Sequence, residues 1–367
     1  MESIVANMDC VDFMHQFPYR WTLKDANFTK DKGKVFSCFA CGGGSTMGYK
    51  LAGYDVIGCC EIDPRMNAVY VNNHHPRYNF LCDIKELVTK EDLPDELFHL
   101  DILDGSPPCS SFSICGNREE DWGKEKYFRE GQAGQVLDTL FFDFIALAKK
   151  LQPKVVISEN VKGLILGDAK KYVTRIFNEF ENAGYSTTLN LCNSAAMGVP
   201  QKRERTFFVA IRNDLIDWVP NDGLFGEPYI NLQFSEPEIT WREINTHVNE
   251  RPLSESKYQL WELRKEGDID LSKCCERAGQ NPNKFFNSKF LYDDKVPNTV
   301  AGKDYCIVFN EGRMRNREEI VLCSSFPLDY DFGNQQTDYI CGMSVPPVMM
   351  AQVATRVYEQ WLCVLPK

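Results

Sequence analysis

The sequence predicts an α/β fold: a doubly wound, mostly parallel sheet with a smaller second domain. Three observations carry this. Short apolar runs that read as buried strands alternate with helical patterns along most of the chain. A glycine-rich turn, Gly42-Gly43-Gly44, stands between the first strand pattern, 34–41, and an amphipathic start at Tyr49-Lys50-Leu51-Ala52. A chain of 367 residues is long enough for one large α/β domain plus a smaller one.

Composition narrows the class. A hydrophobic fraction of 43% and a charged fraction of 25% are ordinary for a soluble globular protein. No apolar run is long enough to span a bilayer, so no membrane partner is expected. The start, MESIVANMDC, lacks a basic segment followed by an apolar one, which argues against a signal peptide. The fifteen cysteines then read as reduced thiols of a cytoplasmic protein. A net charge of -11 argues against nonspecific polyanion binding by the whole surface but leaves room for a locally basic cleft. Lys202, Arg203, Arg205 and Arg212 form one basic cluster, and Arg313, Arg315 and Arg317 another. Solvated charged faces are the competing reading of both.

The elements follow in order. Residues 1–33 show no period and receive no role. The second strand pattern, 54–60, ends in Glu61, where an acid can hold a ribose diol through two hydrogen bonds. Asp83 ends a third strand pattern and can accept from an adenine amino group. The glycine turn, Glu61 and Asp83 together point to an adenosine-containing cofactor, the alternative being a tight turn with two surface acids. The spacing is not GxGxxG, so a nicotinamide site is disfavoured. Cys38 and Cys41 form a CxxC with no second pair and no suitably spaced histidines, so no metal is expected.

The next strand pattern, His99 to Leu103, is stopped by Asp104-Gly105-Ser106-Pro107-Pro108-Cys109. Open α/β sheets keep their ligands at the carboxyl ends of strands. Stiff prolines there present the Cys109 sulfur, although a buried structural cysteine is the commoner meaning of such a residue. Residues 114–134 are polar and aperiodic, as a lid over a site would be. An apolar helix over about 136–150 reads as core. The strand pattern 154–158 ends in Glu159, a carboxyl in apolar surroundings and so disposed to keep a proton. Further strand patterns cover 185–191 and 207–211. Arg203 and Arg205, two apart at the start of the last, are expected to point into one cleft.

Taken together, SCFACGGG, CEID, CDI, GSPPCSSFS, ENV and QKRER, in this order, resemble the cytosine-5 DNA methyltransferase family of bacterial or phage type. The likeness covers about 34–211 and resumes from about 297 to the end. It implies a Rossmann-like, S-adenosylmethionine-dependent methyltransferase fold. Domains follow the family layout: an N-terminal extension at 1–33, a catalytic and cofactor domain at 34–214, a target-recognition domain at 215–300 and a returning segment at 301–367.

The resemblance also implies a reaction. Cys109 adds to carbon 6 of a cytosine flipped out of duplex DNA, and S-adenosylmethionine donates a methyl group to carbon 5, leaving S-adenosylhomocysteine. Glu159 serves ring nitrogen 3, Arg205 the carbonyl oxygen, and Arg203 orients Cys109 or a phosphate. The cofactor would lie against Phe39, Ala40, Cys41, Gly42, Gly43, Gly44, Glu61, Ile62, Asp83, Ile84, Asp104, Pro107, Ser344 and Val345. Ser110, Ser113, Lys202 and Arg313 would contact DNA. Gln280, Asn281, Asn283, Lys284, Asn287 and Lys289 form an amide- and lysine-rich stretch suited to reading base edges, or an ordinary polar turn. Before it, Ser254 is expected to cap a helix ending near Gly267.

A monomer in the cytoplasm of a bacterium or phage-infected host is expected, with double-stranded DNA as partner. A cognate restriction endonuclease, if there is one, would form no stable complex with it. Three departures stand out: Cys41 for the usual first glycine of the loop, Ser110 for a common glutamine, and Met343 for a usual asparagine. A tRNA-methylating relative is the nearest rival, but its Cys-Phe-Thr signature is missing. A catalytically silent DNA-binding relative would be expected to lack Cys109, Glu159 or Arg205. A nicotinamide oxidoreductase leaves QKRER and ENV unexplained.

Overall fold

Parallel strands need crossovers, and the sequence supplies one after nearly every strand. The computed structural model describes residues 15–108, 125–126, 135–136, 139–166, 170–221 and 228–366. Two compact units divide the chain. One comprises Asn27–Asn193, Glu204–Phe234 and Met349–Lys367; the other comprises the chain up to Ala26, Ser194–Arg203 and Ser235–Val348. The chain thus re-enters the sheet unit at Met349, whereas the expected boundary lay at 300.

The first unit holds a seven-stranded sheet. Its strands are β1 (Lys34–Cys38), β2 (Asp55–Glu61), β3 (Tyr78–Leu81), β4 (Ile102–Gly105), β5 (Val155–Val161), β6 (Tyr185–Asn193) and β7 (Glu204–Arg212). Their order is β3-β2-β1-β4-β5-β7-β6. Neighbours from β3 to β5 are parallel, and β7 runs antiparallel between β5 and β6. The chain moves out from β1 to β3 and then returns to place β4 on the other side of β1. The carboxyl ends of β1 and β4 therefore adjoin at the switch of direction, where open α/β sheets hold ligands.

The helices show why these segments form crossovers. α1 (Gly44–Leu51) starts at Gly43, whose φ of 82° suits a glycine. α2 (Pro64–His74) has Pro64 in its first turn and Asp63 as N-cap, accepting from the Arg65 amide. α3 (Ile84–Thr89) is opened by a capping box of Asp83 and Glu86. α4 (Leu140–Leu151) and α5 (Lys170–Asn182) cover the β5 side. Phe141 of α4 meets Phe180 and Phe208 edge-on at 6.4 and 5.4 Å, and all three are buried. Each such side chain contributes roughly 1.5–3 kcal/mol by leaving water.

The second unit contains α6 (Trp241–Ile244), α7 (Glu255–Glu262), α8 (Ser272–Arg277), α9 (Arg317–Cys323) and α10 (Thr337–Met343). A small sheet joins β8 (Phe290–Leu291), β9 (Ile307–Val308) and β10 (Arg313–Met314). α7 ends at Glu262, short of the expected stop, while Gly267 takes a φ of 87° in the following turn. The segment from His15, which had no role in sequence, belongs to this unit. Trp21 Nε1 donates to the Ser325 carbonyl at 2.9 Å, and His15 Nδ1 lies 2.9 Å from Glu236 Oε2. α11 (Pro347–Gln360) carries the chain back to the first unit, where the Tyr54 hydroxyl donates to the Ala354 carbonyl at 3.0 Å.

Gly105 closes β4 against α4. A Cβ there would stand 2.5 Å from Phe144 Cε2. Gly105→Ala is expected to lower stability by about 1–3 kcal/mol through overpacking, read as a lower thermal midpoint. An unchanged midpoint would show that Phe144 moves aside freely.

Candidate active site

Four strand ends assemble the site of the first unit: β1 with its turn, β2, β4 and β5. The β1–α1 turn is tightly constrained. Gly43 N donates to the Ala40 carbonyl at 2.8 Å, and Cys41 N donates to Glu61 Oε2 at 2.7 Å. Phe39 and Cys41 have φ values of 54° and 46°, a left-handed conformation that costs a side chain roughly 1–2 kcal/mol. Cys41 therefore occupies a position where glycine would be unstrained.

Glu61 ties this turn to β2. Its Oε1 accepts from Asp63 N at 2.9 Å while Oε2 holds Cys41 N, and the residue is buried. Burial pushes its carboxyl above the ordinary range, against the main-chain amides that favour the ion. Each carboxylate oxygen accepts more than one hydrogen bond, so a ribose diol can still be accommodated. Asp83 is half-buried, and its Oδ1 accepts from Lys85 N at 3.0 Å. Its place after β3 agrees with the expectation, but capping α3 is its described task. Ile84 is buried in the core behind it.

Asp104 lies in β4 beside Ser37 of β1. It accepts from Ser37 Oγ at 2.7 Å and from the Tyr49 hydroxyl at 3.1 Å, and it is 1% exposed. Burial, aided by the Glu159 charge, pushes its carboxyl up to about 7. Ser37 and Tyr49 were missed in sequence. Their partner is 67 residues away for one and 55 for the other, and only the β1–β4 pairing and the packing of α1 reveal them.

At the end of β5, Glu159 Oε1 meets Arg205 Nε of β7 at 2.8 Å. Glu159 is buried and Arg205 half-buried. Arg205 Nη1 also donates to the Glu204 carbonyl at 2.7 Å. The strand-end carboxyl is thus not isolated in apolar surroundings: a guanidinium sits against it. Among the described residues Glu159 Oε2 has no hydrogen bond. The neighbouring Asn160 was read only as part of a motif. Its Nδ2 donates to the Pro107 carbonyl at 3.1 Å, and its own carbonyl accepts from Thr206 Oγ1 at 3.0 Å. Asn160 therefore fixes the Pro107-Pro108 turn that leads into Cys109. Cys109, Ser110 and Ser113, with most of the expected lid, lie outside the described residues.

Other expected site residues require correction. Arg203 does not share the task of Arg205. Its Nη1 donates to the Val300 carbonyl at 3.1 Å, and its Nη2 to those of Gly342 and Ser344 at 2.8 and 3.0 Å. It is buried and clamps three main-chain oxygens of the second unit, which leaves its amino groups to the fold. Gln201 does related work, bridging Val300 N and the Cys323 carbonyl at 3.1 and 2.7 Å. Ser344 and Val345 are buried beside this clamp.

Arg313 is also corrected. It is 1% exposed, bonded to both oxygens of Glu319 at 2.8 Å and to Glu311 at 2.6 Å. A guanidinium enclosed by two carboxylates cannot reach a phosphate. Arg315 is likewise buried against Asp304. Lys289 is half-buried and paired with Asp270 at 2.8 Å. Lys202, Gln280, Asn281, Asn283, Lys284 and Asn287 are exposed, as base- or phosphate-contacting residues must be. Asn281 Oδ1 is partly engaged, accepting from Asn283 N at 3.0 Å.

The comparisons agree with this geometry. The family model of C-5 cytosine-specific DNA methylases matches residues 33–359. The chain belongs to this family. The type II methyltransferase M.FnuDI of Fusobacterium nucleatum is 34% identical over 185 residues, covering 50% of this chain and 48% of that protein. M.NgoPII of Neisseria gonorrhoeae is 32% identical over 182 residues, covering 50% and 49%. The chain thus spans about half the length of these curated relatives, although M.NgoFVII, also of N. gonorrhoeae, matches at 26% over 91% of this chain and 89% of its own. Among solved structures, an E. coli prophage protein described as a DNA modification methyltransferase superposes with a TM-score of 0.62. It is 18% identical, covering 89% of this chain and 99% of that one. A DNMT2 variant of Spodoptera frugiperda gives 0.59 at 15% identity, with the same coverage. Both likenesses show the shared sheet architecture.

Asp104 couples stability to pH. Its folded pKa lies above the unfolded one, so its contribution to stability is complete below about pH 4 and is lost as pH rises to about 7. The stability of Asp104→Asn relative to the unsubstituted chain should therefore rise across that window, by up to roughly 4 kcal/mol, and level off above it. Denaturant titration at several pH values measures it, and a flat difference would reject the assignment.

Proposed function

We propose that the chain is a DNA (cytosine-5)-methyltransferase that acts on a cytosine within a short duplex sequence. The observation that carries this reading is the arrangement at the carboxyl ends of β4 and β5. Asn160 holds the Pro107-Pro108 segment that precedes Cys109 in the sequence, while Glu159 and Arg205 pair at the ends of β5 and β7.

Carbon 5 of cytosine is not nucleophilic. Addition of the Cys109 thiolate to carbon 6 makes carbon 5 enamine-like, and cysteine is the side chain suited to this near neutral pH. Addition places charge on ring nitrogen 3 and the carbonyl oxygen. A proton shared between Glu159 Oε2 and nitrogen 3 offsets the charge there, Arg205 stabilises the carbonyl oxygen, and the contact between the two side chains keeps both oriented. Loss of the carbon 5 proton then expels the thiol. S-adenosylmethionine supplies the methyl group when bound. The residues present fit that cofactor: the Gly42–Gly44 turn offers main chain without side chains, Glu61 offers buried acceptor oxygens, and Asp83 and Asp104 stand at the carboxyl ends of β3 and β4, which flank β2 and β1. The target base must leave the stack, at a cost of a few kcal/mol that contacts in the pocket offset.

Base-resolution mapping of 5-methylcytosine in cells expressing the chain should reveal one short recurrent motif. Cys109→Ala should abolish it while leaving DNA binding intact. Glu159→Gln should slow turnover roughly 100-fold or more. Methylation persisting near the unsubstituted level in Cys109→Ala would overturn the mechanism.

Phosphate contact is tested separately. Lys202→Ala and Lys284→Ala should each reduce the salt slope of DNA binding by about 1. Lys289→Ala should not, because its ammonium is paired with Asp270. Equal slope changes for all three would contradict the sorting of exposed from engaged cations.

A further inference from the structure

One helix face in the second unit borders a cleft, with Leu260 alone of that face in the core. Ser256, Gln259, Leu260 and Leu263 recur along α7 and its C-cap at the spacing of a single face, and they form one wall. Ala278, Gln280, Lys284 and Phe285 form the other, enclosing about 210 Å³. The opposite side of α7 is anchored by Trp261, whose Nε1 donates to the Phe309 carbonyl at 3.0 Å.

The chemistry of the walls is mixed in a defined way. Leu263 is exposed although apolar. Gln259 donates Nε2 to Glu255 Oε1 at 2.9 Å, which orients the amide and leaves its Oε1 as acceptor. The Gln280 side chain has no hydrogen bond among the described residues. Cations border the cleft. Lys257 and Lys284 lie 5.7 and 5.2 Å from the centre of the Phe285 ring, and Lys257 and Lys303 lie 5.1 and 5.6 Å from that of Tyr305. Of the nearby acids, Asp268 and Asp270 are paired with Arg277 and Lys289, and Glu255 accepts from Gln259. A polyanion bearing flat, polar-edged rings fits such a surface.

We propose that this cleft reads one A·T base pair of the target sequence, with Gln259 and Gln280 as its specificity-determining residues. This rests on the proposed function above and adds α7 to the surface expected from sequence. One amide suits adenine, accepting from the exocyclic N6 while donating to N7, and the other donates to thymine O4 of the same pair. Leu263, Phe285 and Ala278 offer apolar contact to the thymine methyl group, as a G·C pair would not use. Lys284 and Lys257 take the flanking phosphates.

The test is methylation mapping with the full chain and with Gln259→Ala, Gln280→Ala and Ala278→Trp, the last filling the cleft from an exposed position. The unsubstituted chain should show a motif with an A·T pair. The variants should relax that one position, by roughly 5- to 150-fold in preference, and keep the others. An unaltered motif, relaxation at different positions for the two glutamines, or relaxation at a G·C pair would overturn the proposal. Should a variant lose methylation while keeping its thermal midpoint, anisotropy with duplexes altered at that position decides. Equalised affinities support base reading, and unaltered discrimination refutes it. Failure of the unsubstituted chain to methylate any DNA would reject the proposed function instead.

Discussion

Proline cannot donate a main-chain hydrogen bond, so a loop that opens with two prolines can be fastened there only through its carbonyl oxygens or by packing. The hydrogen bond from Asn160 to the Pro107 carbonyl is that fastening, and the rest of the site depends on it. It links β5 to the end of β4 at the same edge where Glu159 leaves the neighbouring position of β5. One strand end thus both fixes the approach to Cys109 and supplies the carboxyl of the proposed chemistry. Gly105, pressed on Phe144, fixes the other side of the turn.

The elements of the sheet were legible because each strand is a short apolar run bounded by turn residues, and because a parallel sheet demands crossovers between them. The cofactor turn was legible for the same local reason: glycines between a strand and a helix have few other uses. Glu61 and Glu159 could be placed at strand ends from pattern alone. What surrounds them could not. The Arg205 partner of Glu159 and the Ser37 partner of Asp104 lie on other strands, and its Tyr49 partner lies on α1; strand order is a long-range property that local pattern does not encode.

Basic residues show the limit most clearly. Arg203 and Arg205 are two apart and were expected to act together, yet one clamps carbonyl oxygens and the other pairs with Glu159. Arg313 and Arg315 look in sequence like a phosphate-binding run. In the structure both are buried against Glu319 and Asp304, where unpaired carboxylates would be costly. Charge clustering reports only that cations are near one another. Whether acids from elsewhere in the chain reach them first decides whether they face solvent. The N-terminal segment illustrates the converse: without period or motif, it acquires its place through Trp21 and His15, whose partners lie hundreds of positions away.

The division of the chain has a consequence for engineering new target preferences. The ten residues Ser194–Arg203 belong with Ser235–Val348, although a long stretch of the sheet unit separates them. Gln201 and Arg203 grip Val300, Cys323, Gly342 and Ser344 through main-chain atoms, which any sequence can provide, but only at a fixed backbone geometry. A chimaera cut only at 215 and 300 would import a foreign backbone at Val300 and retain native grips elsewhere. Grafts that carry 194–203 together with 235–348 would keep donor and acceptor matched, making that discontinuous pair of segments the natural module of exchange.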